Sequence, residues 1–211
     1  MVNVTFAFRM KASNLTADQQ LCLAYAGGRQ TLFRALFDLE AAVSQIALTA
    51  HEPLLAQIKL AWWAEDGLGN PKGGSAIGDA VLGLSKVADH QAIVPLFIEA
   101  WKAAAYGPDG FGDAATLRAE AWSVALGIGE GRLLDALKSW AELDLFTMTG
   151  GKGDGLQKAQ LRVLRHYAKP LAVLALLASQ DGKTVQERRS KPGSPKRIAR
   201  AFFFVATGRI L

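Results

Sequence analysis

From Arg29 onward the apolar residues Leu32, Leu36, Leu39, Val43 and Ile46 recur at spacings of three and four. That spacing lays one continuous stripe along a helix and cannot alternate across a strand. The stripe is long enough for a central helix of a bundle, and every other segment must be able to pack against it. The next segment begins at His51-Glu52-Pro53. A proline suits the first turn of a helix, because its missing amide would be unpaired there in any case. Leu54, Leu55, Ile58, Ala61 and Trp62 are then the expected buried side of that helix.

The remaining chain reads as helices in the same way. Thr16 followed by Gln19 has the pattern of a capping box, opening a first helix through Leu21, Leu23 and Ala24 that stops at Gly27-Gly28. Residues 67–74 form a glycine-rich loop. Ser75 then caps a helix through Ile77, Val81, Leu84 and Val87. A further helix from Gln91 carries Val94, Phe97, Ile98 and Trp101 and ends at Tyr106-Gly107-Pro108. Two more are expected, one over Asp113 to Leu126 and one from Gly129 or Glu130 through Leu133, Leu137, Trp140, Leu143 and Phe146. The segment Gly150–Gly155 lacks the phosphate-loop spacing and follows no strand, so it reads as a linker. Pro170 lies inside the pattern that runs from Leu156 to Gln180 and should kink or divide that helix. No segment reads as a strand. The expected fold class is all-α, an antiparallel helical bundle formed by a single domain over residues 1–211.

Composition narrows the class of function. Half of the 211 residues are apolar, ordinary for a globular protein and too many for a disordered one. The longest apolar run, Leu171 to Ala178, is far too short to span a bilayer, and the N-terminal MVNVTFAFRMK lacks the layout of a secretory signal. A cytoplasmic protein is expected, with peripheral membrane contact open. Cys22 has no partner cysteine and falls on an apolar helix face, as a buried inert thiol does. His51, His90 and His166 are widely separated and suggest no metal site. The net charge of +5 favours anionic partners in general. Basic residues do not interleave with aromatics, so nucleic acid is not an expected partner. Residues 183–200 are dense in cations and precede Ala201-Phe202-Phe203-Phe204-Val205. Lys183 to Val205 could touch an anionic membrane surface, or could be a basic loop followed by a helix whose phenylalanines close the core.

The stretch Leu21–Leu68 also resembles the squalene/phytoene synthase family. The residues that carry the resemblance are Arg34, Leu36, Phe37 and Glu40, followed by Glu52, Pro53, Lys59, Leu60, Trp62 and Trp63. A second, weaker similarity places Asp144 where the family's late aspartate-rich motif begins. The resemblance implies an isoprenoid synthase fold, here truncated, and extends to the branch of complex I assembly factors, to which the chain is similar. Active relatives bind substrate diphosphate through magnesium held by two aspartate-rich motifs. At the first motif this chain has Ala42, Val43, Ser44, Gln45 and Ile46, and at the second Met148 replaces the partner acid of Asp144. Magnesium needs carboxylate oxygens, which alanine, isoleucine and methionine do not offer.

The expectation is therefore a non-catalytic relative that acts as a lipid- or isoprenoid-binding module or as an assembly module with a protein partner, with no cofactor. The alternative is a prenyl diphosphate transferase with unconventional magnesium-binding residues. Arg34, Glu40, Lys59, Trp62 and Asp144 are the candidate cavity-lining residues, with Glu40 expected to pair with Arg34, Arg29 or Lys59.

Overall fold

A computed structural model describes residues 15–68, 73–149, 156–183 and 194–208, with backbone alone at 66–67 and 180–183. Every regular element among them is helical, as the periodicity requires. The α-helices are α1 (Ala17–Leu23), α2 (Gln30–Thr49), α3 (Pro53–Trp62), α4 (Ala76–Leu84) and α5 (His90–Ala104). They continue with α6 (Phe111–Leu126), α7 (Gly131–Met148), α8 (Lys158–Tyr167), α9 (Lys169–Lys183) and α10 (Pro195–Thr207).

The helix boundaries follow local chemistry. At α1 the amide of Gln19 donates to Thr16 Oγ1 at 3.2 Å, and the amide of Thr16 donates to Gln19 Oε1 at 2.9 Å, completing the capping box. Ser75 Oγ accepts from the amide of Gly78 at 3.0 Å and opens α4. Asp89 caps α5, a start that reading from Gln91 passed over. Pro53 is in the first turn of α3. The expected division near Pro170 is present: α8 ends at Tyr167, Ala168 leaves helical geometry, and Pro170 falls in the first turn of α9, where its missing amide breaks no bond. α4 stops at Leu84, and Val87 lies beyond it, exposed. The linker proposed at Gly150–Gly155 lies outside the described residues.

At the corner between α5 and α6 the chain passes close to itself. A Cβ built on Gly110 would lie 2.0 Å from the carbonyl oxygen of Ala103, so only glycine permits that approach. The corner lets α6 pack along α5, and α7 in turn packs along α6. Alanines 114, 115, 119 and 121 are fully buried on α6 and give its neighbours room to approach.

The core centres on Trp122 of α6. Its ring lies 5.6 Å from Phe33, 5.5 Å from Phe37, 6.1 Å from Phe97 and 5.9 Å from Trp140, measured between centroids. Tilted and edge-on arrangements of this kind suit the aromatic quadrupole. α2 is buried on more than its predicted stripe: Leu36, Leu39 and Val43 are inside, and so are Phe33, Phe37, Glu40 and Ser44. Leu32 and Ile46, the ends of the predicted line, are partly buried against the core. Cys22 is buried beside Val173, Leu177 and Ala201, and burial pushes its thiol well above the ordinary range.

α3 departs from expectation. Leu54, Leu55, Ile58 and Trp62, read as its buried side, are 63%, 47%, 57% and 53% exposed. Ala56 and Leu60 face the core instead. The helix is apolar nearly all round, so its pattern held two candidate faces and gave no means to choose between them. At the C-terminal end Ala201 and Phe204 of α10 are buried and Phe202 is 65% exposed. Phe204 joins the main core, as the core-closing reading of the tail requires. The cationic stretch 184–193 lies outside the described residues. Among the described residues no helix is long and apolar enough to cross a membrane.

Candidate functional site

Arg118, on α6, has no solvent exposure and is held from three sides. Its Nε donates to Glu40 Oε1 of α2 at 2.6 Å. Nη2 donates to Asp144 Oδ2 of α7 at 2.8 Å, and Nη1 donates to the carbonyl of Ala141 at 3.1 Å. The guanidinium carbon lies 5.2 Å from the ring centroid of Trp101 and 5.0 Å from that of Trp140, within cation–π range of both. An arginine can be accommodated at such depth because all three of its nitrogens are engaged and two carboxylates balance its charge.

The electrostatics follow from the burial. Burial opposes the charge of Arg118, but Glu40 and Asp144 more than offset it and hold the guanidinium above its ordinary pKa. Burial raises the carboxyl of Glu40 above the usual range, and the charge of Arg118 pulls in the other direction without cancelling the shift. Asp144 sits nearer solvent, its side chain 22% exposed against 7% for Glu40.

Next to this centre is a cavity of about 290 Å³. Phe37, Trp101, Trp140, Leu174 and Leu177 form its apolar wall, and Glu40, Ser44, Asp144 and Thr147 supply polar atoms. A second ion pair borders it. Arg197 of α10 donates from Nε and Nη2 to the two carboxylate oxygens of Asp18 on α1, at 3.1 and 2.6 Å, joining positions 179 residues apart.

Of the five predicted site residues, the structure brings Glu40 and Asp144 together at this cavity. The other three are elsewhere. Arg34 is half exposed and lies 3.8 Å from Asp38 on its own helix, while Lys59 and Trp62 are on the exposed side of α3. The expected partners of Glu40 are corrected accordingly: its cation is Arg118, 78 positions away. Sequence reasoning missed Arg118, Trp101, Trp140 and Arg197 as site residues. The available signal was a lone arginine on the i, i+4 line Ala114, Arg118, Trp122, which is otherwise apolar.

The magnesium implied by the resemblance does not fit these residues. Glu40 and Asp144 do converge, but the Arg118 guanidinium bonds to both and already supplies the positive charge between them. Ala42 is buried and Ile46 packs against the core, so the cavity meets Ala41 and Ser44 on this helix and Met148 on α7. A hard divalent ion requires a shell of oxygens that this set lacks. Among the described residues no three His, Cys, Asp or Glu side chains are grouped to hold a metal. Comparison with protein-family models, with curated proteins and with solved structures gives no match.

Proposed function

We propose that this chain is a non-catalytic squalene/phytoene synthase-like module, a helical bundle that binds a small ligand or a protein partner and does not transfer prenyl groups. One observation carries the reading: Arg118 bridges Glu40 and Asp144, the two acids nearest the positions where the resemblance would put metal-binding motifs. Ionising an allylic diphosphate requires neutralising the departing charge, which metals clamped between acidic sites do in active relatives. A guanidinium whose charge is already balanced by two carboxylates, with each nitrogen hydrogen-bonded inside the protein, is committed to the bundle and not to a departing diphosphate.

The cavity's size supports the same reading. At about 290 Å³ it lies near the lower edge of ligand pockets, roughly 300–1,000 Å³. The exposed stripe of Leu54, Leu55, Ile58 and Trp62 supports the assembly half of the proposal, since contiguous apolar surface of this kind marks interaction sites.

The experiment is an incubation of the purified protein with farnesyl or geranylgeranyl diphosphate and magnesium, with extracts analysed by mass spectrometry. Intact substrate is the expected outcome. Squalene, presqualene diphosphate or phytoene formed in proportion to protein would favour the prenyl transferase alternative and overturn the proposal.

A further inference from the structure

We propose that the face formed by α8 and α10 docks on an anionic phospholipid surface, with Ile198 and Phe202 entering the interface and the cations of α8 meeting the headgroups. This interaction does not depend on the absence of prenyl transfer.

The charge of this region is one-sided. Residues 156–180 and 194–208 contain no aspartate or glutamate among their lysines and arginines. Between Gly150 and Leu211 the only acids are Asp154, Asp181 and Glu187, too few to balance the cations of the same stretch. Lys158, Arg162, Lys169 and Lys196 are exposed, and among the described residues they form no ion pair. A surface of one sign draws partners of the other.

Two helix lines meet on this face. On α8, Lys158, Arg162 and Arg165 recur at spacings of four and three and share one side. On α10, Ile198, Phe202 and Val205 do the same. Arg165 joins the two lines: its Nε and Nη2 donate to the carbonyl of Val205 at 3.3 and 2.8 Å, and its Nη1 lies 3.0 Å from where a Cβ on Gly208 would be. The opposite flank of α8 faces α7, where Gln160 Nε2 donates to Ser139 Oγ at 2.7 Å and the Tyr167 hydroxyl donates to Glu130. Glu130 therefore sits on the side of α8 turned away from α10. α10 itself is apolar on two faces. Arg197, Ala201 and Phe204 are buried and pin it to the bundle, whereas Ile198 and Phe202 are 44% and 65% exposed. Apolar side chains presented beside cations suit a lipid interface, where the former enter the acyl boundary and the latter meet anionic headgroups. A soluble polyanion would engage the cations and leave Ile198 and Phe202 in water.

The test is co-sedimentation of the full chain with vesicles of phosphatidylcholine alone and of phosphatidylcholine mixed with phosphatidylglycerol, with duplex DNA and polyglutamate as soluble polyanion competitors. Binding should require phosphatidylglycerol and weaken with added salt. Each cation at the surface contributes roughly a factor of five, so the double variant Lys158→Gln, Arg162→Gln should lower the partition coefficient about twenty-fivefold. Phe202→Gln leaves the charge unchanged and should lower it about tenfold, and Ile198→Gln repeats that test at a second position. All four side chains are exposed, so the melting temperatures of the variants should match that of the parent protein. Equal binding to neutral vesicles, no vesicle binding at all, or vesicle binding that neither the α8 pair nor the α10 substitutions change would overturn the inference. So would loss in the α8 pair with none in Phe202→Gln and Ile198→Gln, or binding to duplex DNA or polyglutamate as tight as to the anionic vesicles, since either outcome would mark a site for a soluble polyanion.

Discussion

At the scale of single residues, Arg118 is the position on which the centre depends. Replacing it with methionine keeps the bulk and removes the charge, leaving Glu40 buried and Asp144 half-buried without their cation. Breaking a buried pair from one side costs about 3–5 kcal/mol, so Arg118→Met should lose stability on that order at neutral pH in denaturant titrations. The loss should depend on pH with a definite sign. Glu40 already has a raised folded-state pKa, so it contributes stability below its ordinary value that is lost as pH rises through the raised one. Arg118 is what restrains that shift, and removing it should raise the pKa further. The gap between the variant and the parent protein should then widen with rising pH and narrow in acid. A gap that does not change with pH would show that Glu40 does not feel Arg118. These residues were only partly legible in the sequence. Glu40 and Asp144 were found through the resemblance, whereas the pairing between them depends on three helices meeting, which no local pattern records.

At the scale of elements, caps and breaks were the most legible features, because their causes are local. The Thr16–Gln19 box, the Ser75 cap and the division at Pro170 each depend on a few neighbouring residues, and each is present. The orientation of α3 was not legible, since a helix of sequence PLLAQIKLAW presents apolar side chains on almost every side. Its buried face is chosen by what α2 and α5 offer, which is tertiary information. Stability measurements can separate the two orientations. Ile58→Glu should change unfolding free energy by less than about 0.5 kcal/mol, as exposed substitutions do. Leu60→Ala should cost about 2–5 kcal/mol. The reverse order would mean that the face carrying Leu54, Ile58 and Trp62 is the one packed inside.

At the scale of the whole molecule, the all-α class followed from periodicity alone, and the core formed by Trp101, Trp122 and Trp140 follows from three long helices each contributing one large ring. The same assembly brings Glu40 of α2, Arg118 of α6 and Asp144 of α7 to one point, so the centre of the bundle is an ion-paired junction. A double-mutant cycle between α2 and α6, built from Glu40→Gln, Arg118→Met and the double variant, tests that claim most directly by equilibrium unfolding. Residues in direct contact should show a coupling of about 0.5–3 kcal/mol. Free energies that add to within roughly 0.3 kcal/mol would contradict the account, because they would mean that Glu40 and Arg118 do not meet.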